Sequence, residues 1–217
     1  MSLPLFDDDP APAPSSEWLG TQAVLLRGFA LPRVDALWPA LQAVIAQAPF
    51  RHMQTPGGQH MQVALTNCGA LGWVSDRRGY RYSAQDPDSG QPWPAMPPTF
   101  LALAQSAAAQ AGFDHFAPDA CLVNRYAPGT RLSLHQDRDE QDFGQPIVSV
   151  SLGLPARFLW GGLQRADRPQ RVPLWHGDVM VWGGVDRLRF HGVAPVPQGV
   201  HALTGECRVN FTFRRAR

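Results

Sequence analysis

Two histidines and an aspartate in the C-terminal half of the sequence have the types and spacing to bind a metal ion. Residues 131–137 read RLSLHQD, and polar and apolar side chains alternate as in a half-buried β-strand. His135 and Asp137 then lie on the same face of that strand, about 7 Å apart at their Cα atoms. His191, in the segment RLRFHGV, stands at the end of another predicted strand and is the candidate third ligand.

Two histidines and one carboxylate could hold either of two metals. On one face of an octahedron the set leaves three positions open, as in the non-heme iron(II) oxygenases. The same three ligand types also bind catalytic zinc. The triad alone therefore does not decide between iron and zinc.

The last predicted strand has an unusual polar face. Residues 208–214 read RVNFTFR, so Arg208, Asn210, Thr212 and Arg214 share one face, and apolar residues occupy the other. A solvated edge strand would explain one arginine. Two arginines that flank an amide and a hydroxyl suit a small dianion better, because each guanidinium can bind a carboxylate with two hydrogen bonds. This strand favours an iron site with an anionic co-substrate over zinc.

A second polar face could contact the same anion. In residues 122–126, which read LVNRY, Leu122, Asn124 and Tyr126 share one face of a strand and offer an amide and a phenol. Burying such polar groups without a partner is costly. If the face is interior, the sequence predicts a bound ligand there.

The elements that must position these residues are mostly strands. From residue 119 onward the period is two, and turn signals separate most of the strands. We predict strands at residues 120–126, 131–137, 147–152, 156–160, 171–174, 178–182, 187–191 and 207–214. We expect a mainly β fold with flanking helices, namely a jelly-roll barrel or sandwich.

The N-terminal half has a different pattern. Short strands are predicted at residues 23–29 and 61–65. Apolar residues recur at helical spacing over residues 34–45, with Pro32 near the helix start. An alanine-rich helix is predicted at residues 99–111, closed by Gly112.

The length of 217 residues fits one well-buried domain. Residues 1–20, rich in Pro, Ala, Ser and Asp, are predicted to be a loosely ordered leader, and residues 21–217 a single domain. Residues 66–99 are predicted to be a long irregular stretch with interspersed aromatic residues. Such a stretch inside a domain indicates a functional lid, and the aromatic residues argue against disorder.

Composition excludes several classes of protein. The net charge of +1 indicates no global basic field for nucleic acid. All 19 basic residues are arginine, which excludes Schiff-base chemistry and a phosphate-loop lysine. The three scattered cysteines form neither a disulfide framework nor a zinc motif. No apolar run reaches the roughly 20 residues of a membrane helix, and no secretory signal is present, so we expect a cytoplasmic protein without a membrane partner.

Taken together, these motifs resemble the AlkB family of nucleic-acid dealkylases, above all its bacterial DNA-repair members. The matching segments are Asn124-Arg-Tyr126-Ala-Pro128-Gly129, His135-Gln-Asp137, His191, RVNFTFR, and also LTNCG, PWPAMP and IVSVSLGLP. The resemblance extends from about residue 20 to the C-terminus; segment 163–173 matches only loosely. It implies a double-stranded β-helix, a jelly-roll variant, with an N-terminal helical and nucleotide-recognition lid part. It also implies Fe(II), 2-oxoglutarate as co-substrate, and O2.

The resemblance further implies roles for individual residues. The iron ligands would be His135, Asp137 and His191. The 2-oxoglutarate pocket would comprise Asn124, Tyr126, Arg208, Asn210 and Arg214, with Arg208 on the distal carboxylate and with Arg214 and Asn210 nearer the end that chelates iron.

On the substrate side, the resemblance implies that Trp73 stacks on an extruded methylated base, with His135 on the other face of the base. Asp139 would accept a hydrogen bond from an exocyclic amino group. The remaining contacts to the lesion pocket or nucleotide would come from Tyr80, Arg81, Tyr82 and Arg165. Local arginines would take the phosphates, namely Arg51, Arg77, Arg78, Arg81 and Arg165. Trp73 and Tyr82 could instead be core aromatic residues, and the charge run around Asp139 could be a solvated loop.

The activity implied by this resemblance is oxidative demethylation of 1-methyladenine and 3-methylcytosine in DNA, with release of formaldehyde, succinate and CO2. The choice between DNA and RNA, and between single and double strands, stays open; the resemblance implies a monomer. The main alternative is a 2-oxoglutarate oxygenase that hydroxylates a protein or a small molecule. A non-catalytic cupin-like module and a zinc hydrolase are further alternatives, although zinc hydrolysis would leave Arg208 and Arg214 without a task.

Overall fold

The computed structural model describes residues 13–217, in two α-helices, two short 3₁₀ helices and thirteen strands. The helices are α1 (Val34–Gln47) and α2 (Pro98–Gln110), and the 3₁₀ helices are Leu31–Arg33 and Gly184–Asp186. The strands are β1 (Ser16–Trp18), β2 (Ala23–Leu26), β3 (Ala64–Gly69), β4 (Gly72–Asp76), β5 (Gly79–Ser83), β6 (Ala120–Tyr126), β7 (Leu132–His135), β8 (Ile147–Gly153), β9 (Ala156–Trp160), β10 (Gln170–Leu174), β11 (Val179–Trp182), β12 (His191–Val193) and β13 (Arg208–Arg214).

Two antiparallel sheets form the jelly roll. The larger sheet has the order β1-β2-β11-β8-β13-β6-β3, and the smaller one has the order β10-β9-β12-β7. Apolar residues of both sheets pack together between them, among them Met180 and Trp182 of β11 with Phe158 and Trp160 of β9. The mainly β jelly-roll fold predicted from the sequence is confirmed.

The outer face of the larger sheet is covered by both helices. α1 contributes Leu37, Leu41 and Val44 to this core, and the small residues of α2 allow it to approach the sheet closely. Both helices have the predicted position; α2 is followed by Gly112, whose positive φ of 84° suits glycine. The apolar face of β13 packs into the same core, so its polar face points to the interior between the sheets.

The predicted irregular stretch 66–99 is the main error. It contains the end of β3 and the hairpin of β4 and β5, so the one long part without strand or helix is residues 84–97. The hairpin turns at residues 76–79, where Gly79 has a φ of 112°. The predicted strand 61–65 begins instead at Ala64 and continues to Gly69. Ordered structure also begins earlier than expected: β1 lies inside the segment 1–20, of which residues 1–12 are outside the described residues.

Two further corrections concern the segments that contain the candidate ligands. The predicted strand 131–137 ends at His135, so Asp137 lies in the following loop. The predicted strand 187–191 is wrong: that segment forms turns, and β12 begins at His191. The physical reason is two side-chain hydrogen bonds: Arg187 donates to the backbone carbonyl of Gln145, and Arg189 donates to that of Gly161. These contacts fix an irregular loop before β12.

Candidate active site

Three metal-ligating side chains meet where β7 ends and β12 begins. His135 and His191 are directly paired across these antiparallel strands, and their ring centroids are 4.4 Å apart. Asp137 follows β7, with Oδ1 3.6 Å from Nε2 of His135 and Oδ2 3.7 Å from Nε2 of His191. One ligand atom from each residue lies within 4.8 Å of the others, and no other such group of three occurs among residues 13–217.

Backbone carbonyls orient both imidazole rings. Nδ1 of His135 lies 2.9 Å from the carbonyl oxygen of Ser133, and Nδ1 of His191 lies 3.0 Å from that of Arg189. Because a carbonyl only accepts, Nδ1 of each ring is the donor in this contact, and Nε2 is the nitrogen that faces Asp137 and could bind a metal. Burial, followed by the nearby His135, lowers the pKa of His191 to about 4, so this ring is neutral at pH 7.

The carboxylate of Asp137 is held by an arginine. Arg214 donates to Oδ2 from Nε at 2.9 Å and from Nη2 at 2.7 Å. Burial alone would raise the pKa of Asp137, but Arg214 and the two histidines lower it below its usual range. The acid is therefore ionised and ready to act as a metal ligand.

A second buried carboxylate, Glu140, adjoins this pair. It accepts from the Tyr82 hydroxyl at 2.6 Å and from Nη2 of Arg187 at 3.1 Å, and its Oε1 lies 3.4 Å from Nε of Arg214. Arg187 also donates to the backbone carbonyl of Asp137 at 3.0 Å. Neither Glu140 nor Arg187 is predicted from the sequence; the only signal is the proximity of Glu140 to Asp137 in the run DRDEQD.

A cavity of about 420 Å³ opens beside the triad. It is lined by all five residues predicted to bind 2-oxoglutarate, namely Asn124, Tyr126, Arg208, Asn210 and Arg214. β13 lies between β6 and β8, so the polar faces of three neighbouring strands form one wall. The polar faces of β6 and β13 are therefore interior, which is the condition under which the sequence predicts a bound ligand.

Arg208 provides a test of whether this wall suits an anion. The residue is 1% exposed, and its Nη2 donates to Oγ of Ser151 at 2.9 Å, but Nε and Nη1 have no hydrogen-bond partner among residues 13–217. The guanidinium carbon lies 5.0 Å from the ring centroid of Tyr126. Burial lowers the pKa of Arg208. A buried cation with two free donors beside a cavity is costly unless an anion binds it, so the wall fits a carboxylate.

The middle of this wall is already hydrogen-bonded within the protein. Nδ2 of Asn210 donates to Oγ of Ser149 at 2.8 Å and to the carbonyl of Val150 at 2.9 Å. The hydroxyl of Thr212 donates to Oδ1 of Asn210 at 3.0 Å. The cavity shape is therefore set before a ligand binds. Ser149 and Ser151 were not identified from the sequence, because their role depends on the pairing of β8 with β13.

Three of the predicted substrate residues line the cavity. Trp73 and Tyr80 of the hairpin stack on each other, with centroids 5.5 Å apart and planes at 14°. Nε1 of Trp73 donates to Oδ2 of Asp139 at 2.7 Å. An aromatic face and a carboxylate therefore lie next to each other in the cavity that the triad also lines.

The other three do not line the cavity formed by the described residues. Arg81 donates to Oδ2 of Asp76 at 2.7 Å, the Tyr82 hydroxyl contacts Glu140, and Arg165 is exposed, with its guanidinium 5.8 Å from the Phe190 ring. Among the arginines expected to contact phosphates, Arg51 pairs with Asp86 and Asp88. The nucleic-acid roles of these residues stay predictions.

The comparisons with known proteins agree with this chemistry. The sequence profile described as the 2OG-Fe(II) oxygenase superfamily matches residues 22–214. The chain is 55% identical over 214 residues to the Alpha-ketoglutarate-dependent dioxygenase AlkB of Escherichia coli (strain K12), with 99% of this chain and 98% of that protein covered. The chain belongs to the AlkB family.

More distant AlkB-family relatives extend the comparison. The human protein named Nucleic acid dioxygenase ALKBH1 is 35% identical over 133 residues, which cover 59% of this chain and 34% of that protein. The solved structure described as that of OsALKBH1 has a TM-score of 0.80 at 29% identity and covers 93% of this chain and 100% of that one.

The AlkB-family chain is thus an Fe(II)- and 2-oxoglutarate-dependent dioxygenase; alpha-ketoglutarate is another name for 2-oxoglutarate. Its cofactor and co-substrates are Fe(II), 2-oxoglutarate and O2. Within residues 13–217, no helix is both long and apolar enough to cross a membrane.

Proposed function

We propose that this dioxygenase repairs DNA by oxidative removal of methyl groups from 1-methyladenine and 3-methylcytosine. The supporting observation is the pairing of Trp73 with Asp139 beside the metal ligands. An extruded base needs an aromatic surface on which to stack, and a methylated base of this kind is a cation that a carboxylate attracts. A protein hydroxylase would need neither feature at this place.

The triad and the β13 wall would hold the cofactor and co-substrate. His135, Asp137 and His191 would bind Fe(II), and Arg208 would bind the distal carboxylate of 2-oxoglutarate, with Arg214 nearer the metal. With Fe(II) bound, the site would use O2 and 2-oxoglutarate to oxidise the substrate methyl group to a hydroxymethyl group. In the same reaction 2-oxoglutarate is converted to succinate and CO2. The hydroxymethyl group on the ring nitrogen would then lose its O–H proton to solvent and leave as formaldehyde, while the electron pair of the broken C–N bond stays on the ring nitrogen, which becomes uncharged.

The protein residues contribute position and charge. The carbonyls of Ser133 and Arg189 orient the imidazole rings, and Arg214 fixes the Asp137 carboxylate. The free donors of Arg208 orient the co-substrate. Trp73 and His135 would enclose the base, which excludes water and brings the methyl group next to the metal.

Substrate range and assembly are also part of the proposal. DNA, single- or double-stranded, is the proposed substrate; relatives named for nucleic acids make RNA a second one to test. We expect a monomer, because one chain supplies all three candidate metal ligands. We also propose that residues 21–217 act as one domain in the cytoplasm, with residues 66–99 as its recognition lid.

The decisive experiment uses oligonucleotides that contain one 1-methyladenine or one 3-methylcytosine. With Fe(II), 2-oxoglutarate and ascorbate present, we expect formaldehyde and succinate in equal amounts, none with His135→Ala, and inhibition by zinc. Absence of formaldehyde from every methylated DNA and RNA would refute the repair function. Succinate formation stimulated by a protein or small molecule alone would then favour the alternative oxygenase.

A further inference from the structure

A buried amide beneath the hairpin has no part in the metal site. Asn67, in β3, is 0% exposed and lies on the same face of the sheet as its neighbours Leu65 and Leu122, which line the cavity. Its Oδ1 accepts from the backbone N–H of Trp73 at 3.0 Å, and its Nδ2 donates to the backbone carbonyl of Trp73, also at 3.0 Å. One side chain therefore satisfies both backbone groups of the indole-bearing residue.

The chemistry of these two contacts requires a carboxamide. In an extended strand the N–H and C=O of one residue point to the same side, and a carboxamide offers one acceptor and one donor group to meet them. β4 forms its ladder with β5 only, so the amide of Asn67 takes the place of a neighbouring strand. Leucine, of similar size, could make neither contact and would leave two buried polar groups without a partner.

Gly72 shows how closely the hairpin approaches this amide. A Cβ at position 72 would lie 2.4 Å from the ring of Trp93 and 2.9 Å from the Cβ of Asn67. The Trp93 ring is itself fixed, since its Nε1 donates to the carbonyl of Ser83 at 3.0 Å. The start of β4 is therefore held against β3 at a single, closely packed point.

From this anchor the indole of Trp73 extends over the cavity to Asp139, 2.7 Å from Nε1. We infer that Asn67 is a positioning residue that fixes the Trp73 indole over the cavity for base stacking. The inference rests on the proposed function, which assigns the stacking role to Trp73. Asn67 itself does not line the cavity formed by the described residues, so it acts through Trp73.

The kinetic test uses Asn67→Leu, which keeps the volume, and Asn67→Ser as a milder variant if the first folds poorly. Thr66→Val is the matched control: Thr66 is the neighbouring residue of β3, is 1% exposed, and donates one hydrogen bond to the carbonyl of Ala48, away from the hairpin. With a 3-methylcytosine oligonucleotide we expect Asn67→Leu to raise KM about tenfold, since small misplacements of a binding group have large effects. The KM for 2-oxoglutarate should not change, and the control should retain both values.

A double-mutant cycle separates positioning from general destabilisation. In a Trp73→Ala background we expect Asn67→Leu to cause no further rise in the oligonucleotide KM, because the indole that it positions is gone. Equal effects of Asn67→Leu with and without the indole would overturn the inference. An unchanged KM in the wild-type background would do the same.

Hydrogen exchange provides a readout that does not depend on activity. The Trp73 amide should exchange faster in Asn67→Leu than in the wild-type protein and in Thr66→Val, because only Asn67→Leu removes its acceptor. Unchanged exchange at this amide would overturn the anchoring itself. The two proposals can also fail separately. If the Trp73 amide exchanges faster in Asn67→Leu but the wild-type protein demethylates no base, the proposed function is refuted and the anchoring of Trp73 by Asn67 still holds.

Discussion

Arg214 donates two hydrogen bonds to one oxygen of Asp137, namely Oδ2, and its own pKa reflects this pairing. Burial alone would lower the pKa of Arg214, but Asp137, with Tyr82 and Glu140, raises it above the usual range for arginine. The guanidinium is thus a permanent charge that orients a candidate metal ligand. The fork geometry matters, because the rigid guanidinium directs Nε–H and Nη2–H to Oδ2 together, whereas a lysine ammonium is a point charge on a flexible stem.

The first prediction follows from this fork. Arg214→Lys should weaken binding of the redox-stable ion Mn(II) about 10–100-fold, the range found when a group that orients a metal ligand is changed. Isothermal titration calorimetry on metal-free protein measures this. Arg215→Lys, at the next position but half exposed and 3.8 Å from Asp119, is the matched control and should bind Mn(II) as the wild type does. Unchanged affinity in Arg214→Lys would show that Asp137 needs no such support.

The second prediction concerns the unpartnered donors of Arg208. Arg208→Lys removes the bidentate contact, and each charge-assisted hydrogen bond contributes about 1.5–3 kcal/mol. We therefore expect the KM for 2-oxoglutarate to rise about 10–100-fold, while the KM for the oligonucleotide stays the same. Succinate formation at varied 2-oxoglutarate concentration measures this. Arg125→Lys, on the outer face of the adjacent strand, is the control. A normal KM for 2-oxoglutarate would mean that Arg208 does not contact the co-substrate.

Local pattern was enough to predict several of the strands around the site. β6 and β9 have the predicted bounds, and alternation placed Arg208 and Arg214 together on one face of β13, which is interior in the structure. Such strands are readable because each has one apolar and one polar face and is flanked by turn residues. The hairpin was missed because β5 has no fully buried residue, and because the glycine, serine and aspartate residues in and around its two strands are typical of an irregular loop.

Contacts between distant segments could not be predicted. The pairing of His135 with His191 depends on the register of two strands whose residues are 56 positions apart in the sequence. The ion pair of Glu140 with Arg187 depends on a turn at Arg187, where the sequence pattern predicted a strand. A charge run such as DRDEQD is solvated in most proteins, and only tertiary packing buries two of its members, Asp137 and Glu140. The sequence therefore predicted many of the residues that line the cavity, but not the groups that orient them.

The third prediction separates support of the site from substrate contact at Tyr82. Its hydroxyl donates to buried Glu140, so Tyr82→Phe should lower the free energy of unfolding by about 1–3 kcal/mol, the cost of leaving such an acceptor short of a partner. Tyr80→Phe is the control, since Tyr80 is 50% exposed and should unfold as the wild type does. Urea denaturation measures both. A wild-type unfolding free energy for Tyr82→Phe, with a raised oligonucleotide KM, would instead support direct contact with the nucleic acid.

The fourth prediction concerns acid stability and a histidine pair outside the active site. The rings of His176 and His201 lie 4.4 Å apart, and Nδ1 of His176 accepts from the backbone N–H of Gly153 at 3.0 Å. Burial, followed by the neighbouring His201, lowers the pKa of His176 to about 4. Nδ1 must stay unprotonated to keep this hydrogen bond, so the folded protein favours neutral His176.

The direction of the pH effect on stability follows from the linkage between folding and proton binding. Below its unfolded pKa of about 6.5 the histidine takes up a proton in the unfolded chain but not in the folded one, so stability falls as pH drops from about 6.5 towards 4 and then levels off. His176→Asn keeps an acceptor for Gly153 but cannot titrate. We expect this variant to lose less unfolding free energy than the wild type between pH 7.5 and pH 5, measured by urea denaturation with EDTA present. If both proteins lose the same amount, His176 is not one of the groups that make the fold acid-sensitive.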